Sequence, residues 1–232
     1  MIPLALLLLI PSDIDVLDSK EFPKEAQVRA VTATVRVVNA TQGSEGSGVL
    51  LKRAGPLVYI LTANHVVDGA KQVEVATFTS ESHPKAAAVY RKVEVIAQSA
   101  SSDLAVLRLT TRDEMPGSVV VCPATKVPNG KDFAALSVGC EGGRAPTCAV
   151  ETVKGKREVR KPGADATLSC WETANAPDKG RSGGPLLDRN GYLIGVDSGT
   201  GDGKGYYVHG DVLHTFLRRN GLKWLAEEKA EK

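Results

Sequence analysis

The sequence predicts an all-β protein in two lobes, and three observations predict it. Short segments rich in Val, Ile and Tyr recur between clusters of Gly, Pro, Asn and Asp, the pattern of a β-sandwich or barrel. Several segments alternate, as Val73-Glu74-Val75 and Val93-Glu94-Val95 do, so one face of each strand meets a core and the other meets water. A polar stretch ending in Pro-Gly, Thr110 to Gly117, then breaks the pattern as a linker between lobes does. The chain has 232 residues, enough for one large or two small lobes, and its 42% apolar content includes only 5% aromatic residues, so aliphatic side chains must fill the core.

Residues 1–20 open with the apolar run Met1 to Ile10, too short to cross a bilayer as a helix. That run is expected to be an export signal, although no Lys or Arg precedes it, and it implies a secreted or periplasmic protein without an integral membrane span. The protein domain is expected over 21–220. In the first lobe, residues 28–112, strands are predicted at 28–38, 48–51, 58–61, 73–78, 89–96 and 104–109, with a helical turn at 64–70. In the second, residues 118–210, they are predicted at 119–121, 133–138, 149–153, 166–171, 186–187, 192–196 and 206–208. A helix over 211–219 follows, capped by Asp211 and stopped by Asn220-Gly221, and 221–232 is a charged tail.

Chemistry gathers at three places. Gly180-Arg181-Ser182-Gly183-Gly184 sets a serine among glycines, where main-chain amides can surround one oxygen. Thr62-Ala63-Asn64-His65-Val66-Val67 offers an imidazole and Ser102-Asp103-Leu104-Ala105 a carboxylate. A serine hydroxyl needs a base to become a nucleophile, and a histidine, with an ordinary pKa of about 6.5, serves as one when a carboxylate fixes its tautomer. The order His, Asp, Ser is one in which acyl-transfer triads occur. On this reading Ser182 attacks, His65 is the general base, Asp103 orients it, and the amides of Gly180 and Ser182 form the oxyanion hole.

These fragments resemble the triad motifs of the chymotrypsin-like serine proteases. Gly46-Ser47-Gly48-Val49-Leu50-Leu51 resembles the strand ahead of that family's base, and Gly191-Tyr192-Leu193-Ile194-Gly195-Val196 the strand after its nucleophile. The likeness covers roughly residues 28 to 218 and is nearer to bacterial Deg-type peptidases than to digestive trypsin. It implies two six-stranded antiparallel β-barrels packed together, a short C-terminal helix, a site in the cleft between them, and endopeptidase activity on protein or peptide substrates. Ser198 matches a position that supports the triad carboxylate. Ala176 matches the base of the primary specificity pocket, with Ser198, Gly199 and Thr200 on its wall. No aspartate occupies that base, so a small or aliphatic residue is expected before the scissile bond. Where zymogen-activated members place an aspartate before the nucleophile, this chain has Arg181, so no activation by a freed N-terminus is expected. Deg-type enzymes commonly carry a PDZ domain after the protease, and this sequence leaves no room for one, so peptide-gated regulation of that kind is not expected.

Other readings are weaker. A net charge of +2 with one basic run, Lys154 to Lys161, argues against nucleic acid as a partner and fits a solvated hairpin. The four cysteines form no Cys-x-x-Cys and lack a His at ligand spacing, so neither a metal nor another cofactor is expected. Four cysteines allow three pairings. Cys140 with Cys148 would close the loop between them and leave Cys122 with Cys170; buried thiols are the alternative. Gly-x-Ser-x-Gly also marks the α/β-hydrolase nucleophile elbow, but Gly183-Gly184-Pro185 is a poor first helical turn and the chain lacks the alternating helices. The rival of a different class is a catalytically silent barrel that binds peptides or a partner.

Overall fold

Pro23 marks the first departure from the predicted strands. In the computed structural model, which describes residues 14–160 and 167–227, its carbonyl accepts from Ala26 N and Gln27 N and opens helix α1, Lys24–Thr32. The expected strand at 28–38 is therefore helical in its first half and strand β1, Thr34–Asn39, in its second. Good helix formers from Lys24 to Gln27, with Glu25 in the first turn, outweigh the valines that follow. Residues 14–23 also pack on the fold. Ile14 and Phe22 are buried, and the Gln27 carboxamide donates to Leu17 O and Phe22 O while accepting from Leu17 N. The expected signal segment falls largely on residues 1–13, outside the described residues, as does Ala166 of the predicted strand at 166–171.

The first barrel comprises β1, β2 (Ser44–Ala54), β3 (Leu57–Thr62), β4 (Gln72–Thr77), β5 (Ala88–Ser99) and β6 (Leu104–Thr110), closed in the order β1-β2-β3-β6-β5-β4. Every pairing is antiparallel. Val35, Val37, Leu50, Ile60, Val75 and Leu107 fill it, the inward halves of alternating strands. The second sheet adds β7 (Val120–Val121), β8 (Phe133–Gly139), β9 (Thr147–Arg160), β10 (Thr167–Thr173), β11 (Pro185–Leu187), β12 (Tyr192–Gly201) and β13 (Lys204–His209). Its order is β11-β8-β9-β10-β13-β12-β7, and β11 also pairs with β12, so six strands form a ring and β7 joins β12 in parallel outside it. Trp171 fills the ring, donating from its indole to Ile194 O at 3.0 Å with Phe133 edge-on to it.

A third apolar cluster joins the barrels. Val49, Leu51, Leu61 and Val106 of the first meet Leu136, Val138, Leu193 and Val196 of the second, and Leu213, Phe216 and Leu217 of helix α3, Gly210–Arg219, close it. Burial of this seam fixes how the barrels face one another. The cap of α3 is His209, whose ring nitrogen accepts from Asp211 N at 3.1 Å, so Asp211 does not cap as expected; its carboxylate binds Lys156 instead. The helix stops at Asn220, with Gly221 at φ +70. Among the described residues no helix is long and apolar enough to cross a membrane.

The expected disulfides are not formed. Cys140 packs with Ala76, Phe78 and Ala145, whereas Cys148, paired across from Val138, points its thiol toward Gln27 O. Cys122 lies in the cluster around Trp171, and Cys170, next to Trp171 along β10, faces the seam between the barrels. Each pair is thus split between different packing clusters, which loop arithmetic in the sequence could not show. Burial pushes the thiols of Cys140 and Cys148 up to about 12, so both stay protonated. Within the basic run, Lys154, Lys156 and Arg157 line a solvated face and pair with Asp132, Asp211 and Glu172.

Candidate active site

His65 sits on a single helical turn, α2 (Asn64–Val67), where β3 leaves the first barrel. Val66 and Val67 are buried beneath it, so the turn is anchored while the imidazole, 44% exposed, faces outward. Asp103 immediately precedes β6 and is buried. Its backbone takes a left-handed conformation, φ +48, which strains an aspartate and is held by what its carboxylate binds. His65 N donates to Oδ1 at 3.1 Å, the ring Nδ1 lies 3.0 Å from Oδ2, and Ser198 Oγ donates to Oδ2 at 2.6 Å. The carboxylate thus accepts from the main chain and ring of His65 in one barrel and from a hydroxyl of the other. With Nδ1–H committed to Asp103, the lone pair of the neutral ring is left on Nε2.

The Ser182 segment comes from the second barrel and is pressed against the first. Ser182 O accepts from Ser47 N at 2.7 Å, and Gly180 O accepts from Ser47 Oγ at 2.8 Å. Ser47 Oγ in turn accepts from Cys140 N, so one buried hydroxyl of β2 ties two segments of the other barrel. Gly183 has φ +85, and a Cβ there would lie 2.2 Å from Ser47 O and 2.9 Å from Ala63 N. Only glycine permits that approach, which brings Ser182 alongside the strand end that leads into His65. Ser182 itself is half-buried. Arg181 N and Gly183 N donate to Asp178 O and Asp197 O, whereas the amides of Gly180 and Ser182 donate to no acceptor among the described residues. Unspent amides at the serine and two residues before it are what a developing oxyanion needs.

Beside His65 lies a cavity of about 420 Å³ whose lining includes Leu168, Cys170, Ser198, Gly199, Thr200 and Tyr206. The expected wall residues share it, but Ala176 does not; it is exposed on the segment between β10 and Gly180. Behind Ser182 lies Asp197, whose carboxyl burial raises to about 7 against the opposing pull of the Gly199 amide and the charges of Arg181 and His65. Ser47 and Asp197 escaped the sequence reading; the signal for Ser47 was only its place between two glycines. The rings of His83 and His214 bond to Pro146 O and Cys122 O, and that of His209 accepts from Asp211 N, so none of these bonds involves a triad residue.

A double barrel with this constellation at its seam defines a trypsin-type architecture. The chain belongs to the trypsin-like peptidase domain family, whose model matches residues 46–196. It is 29% identical over 175 residues to the serine protease Do-like HtrA of Bacillus subtilis, covering 68% of this chain and 34% of that one. Against HtrB of the same bacterium it is 28% identical over 163 residues, covering 66% and 32%. The chain thus spans about a third of the length of the curated relatives it matches. In fold it is similar to the inactive form of the Rv3671c protease of M. tuberculosis, with TM-score 0.69, 20% identity, and 84% of this chain and 92% of that one covered.

Proposed function

We propose that this protein is a serine endopeptidase in which Ser182, His65 and Asp103 act as nucleophile, general base and orienting carboxylate. The observation that carries the reading is the carboxylate of Asp103, held by both His65 and Ser198, next to a glycine-rich serine loop with two unspent amides. In the proposed reaction His65 Nε2 takes the Ser182 proton as Oγ adds to the carbonyl carbon of the scissile peptide. The resulting oxyanion binds the amides of Gly180 and Ser182, and the imidazolium returns its proton to the leaving amine. Water, activated by the same imidazole, then hydrolyses the acyl-enzyme.

Among the described residues, β12 beyond Val196 has no strand partner on its β11 side, so an extended substrate can add its main chain along residues 198–200. The small or aliphatic preference before the scissile bond remains part of the proposal; Leu168, Cys170, Gly199 and Thr200 line the cavity beside His65, with Arg160 and Asp202 also on its wall. Digestion of a peptide library tests both. The wild type should cleave after small or aliphatic residues, and Ser182→Ala should lose turnover by several orders of magnitude. Equal cleavage after Arg and Val would remove the preference, and an uncut library would remove the activity.

A further inference from the structure

Arginine is almost never fully buried unless paired. Arg181, immediately before Ser182, is 4% exposed. Its Nη1 donates to Thr147 Oγ1 at 3.1 Å and Gly139 O at 3.5 Å. Its Nη2 donates to Ser137 O, Ser137 Oγ and Thr147 O at 3.0, 3.2 and 3.3 Å. All five acceptors are neutral and all belong to β8 and β9. The Tyr207 hydroxyl also donates to Ser137 Oγ, at 2.9 Å, extending the network toward β13. Gly139 lets the main chains close up, since a Cβ there would lie 2.8 Å from Arg181 Cβ.

Two buried carboxylates sit in the same interior. Asp197 Oδ2 and Glu151 Oε2 each lack a hydrogen-bond partner among the described residues, and burial holds both carboxyls above the ordinary carboxylate range. Asp197 is joined to the serine loop directly: its carbonyl accepts from Gly183 N and its amide donates to Gly184 O. A buried cation is costly unless hydrogen bonds surround it, and here five neutral acceptors do. The amides that flank this side chain are those of Gly180 and Ser182.

We propose that Arg181 is a positioning residue, its buried guanidinium bolting the oxyanion loop to β8 and β9 in the wall of the second barrel. The loop is thereby held in place by a side chain of its own. This inference rests on the endopeptidase reading and concerns how the oxyanion donors are held.

The test compares wild type, Arg181→Met, Arg181→Lys and Thr147→Val, each checked for folding by circular dichroism. A fluorogenic peptide that the wild type cleaves supplies kcat and KM; its boronate analogue and its product, with the new carboxylate replaced by a primary alcohol, serve as ligands. The boronate uses the oxyanion donors, and the product alcohol, which puts no anionic oxygen there, reports binding to the rest of the cleft. Arg181→Met should lower kcat about 10²-fold, the cost of losing one oxyanion donor or misplacing the reacting groups by 1 Å. Boronate affinity should fall in parallel, while KM and alcohol affinity hold. Arg181→Lys should recover part of the loss. If Arg181→Met does not fold, Thr147→Val, which deletes one exposed acceptor, should show the same split at a few-fold scale. Unchanged kcat and boronate affinity in the folded variants would overturn the inference, as would equal losses for boronate and alcohol. A wild type that cleaves no peptide would instead overturn the endopeptidase reading beneath it.

Discussion

Gly46→Ala probes whether the site depends on how closely the barrels approach. A Cβ on Gly46 would lie 2.7 Å from Ser182 O and 2.7 Å from Val66 Cγ2, against the 3.4 Å at which ordinary contact begins. One methyl group therefore pushes in two directions: against the main chain of the nucleophile and against the residue that follows the base. Neither neighbour is free to yield. Ser182 O is held by Ser47 N, and Val66 is buried under the His65 turn. Relief of both contacts requires about 0.7 Å of retreat on each side, and a misplacement of about 1 Å costs roughly 10²-fold in rate. Overpacking should also lower stability by about 1–3 kcal/mol. Peptidase kinetics and urea unfolding measure the two effects. Gly130→Ala, whose Cβ would meet nothing within 4 Å, is the control. If Gly46→Ala kept the kcat/KM of Gly130→Ala, the reasoning that places catalysis at this seam would be refuted.

Asp103→Asn should cut kcat by about 10⁴-fold with the fold retained, because an amide nitrogen at the Oδ2 position would force the proton onto the far nitrogen of His65; a loss below tenfold would contradict the orienting role. Asp197 binds a proton more tightly folded than unfolded, with its carboxyl raised to about 7 by burial. Its stabilisation is therefore complete below about pH 4 and lost as pH rises through about 7, a slope worth about 4 kcal/mol at most. Asp197→Asn should flatten that part of the urea-midpoint profile, and an unaltered slope would place the titration elsewhere. His209 behaves oppositely: burial lowers its ring to about 4, so its stabilisation is present above about pH 6.5 and is lost as pH falls through about 4. His209→Asn keeps a neutral cap acceptor and should remove the acid-side loss, as read by unfolding between pH 4 and 6.5.

What was legible in the sequence was local. Alternating valines marked β4 and β5, and Thr62 to Val67 marked the strand end and turn that carry His65, because each pattern reflects one short element facing one core. The first helix was misread for the same reason: Val28, Val31 and Val35 suit a strand until Pro23 and the helix formers behind it are weighed. The disulfides failed because the spacing of Cys140 and Cys148 along the chain does not say which cluster each thiol enters. Ser47 and Arg181 matter through partners 34 to 133 residues away, and Asp197 through the serine loop that precedes it, relations that appear only once β2, β8 and β12 are packed together. Ala176 was assigned by likeness of position, and the loop that bears it does not bring it to the cavity beside His65.

The central claim is that the Ser182 hydroxyl is activated by the imidazole of His65. Intact-mass analysis of the purified protein after exposure to a fluorophosphonate tests it most directly. The account predicts one adduct, mapped to Ser182 and lost in His65→Ala. An unmodified wild type, or an adduct that persists undiminished without His65, would contradict it.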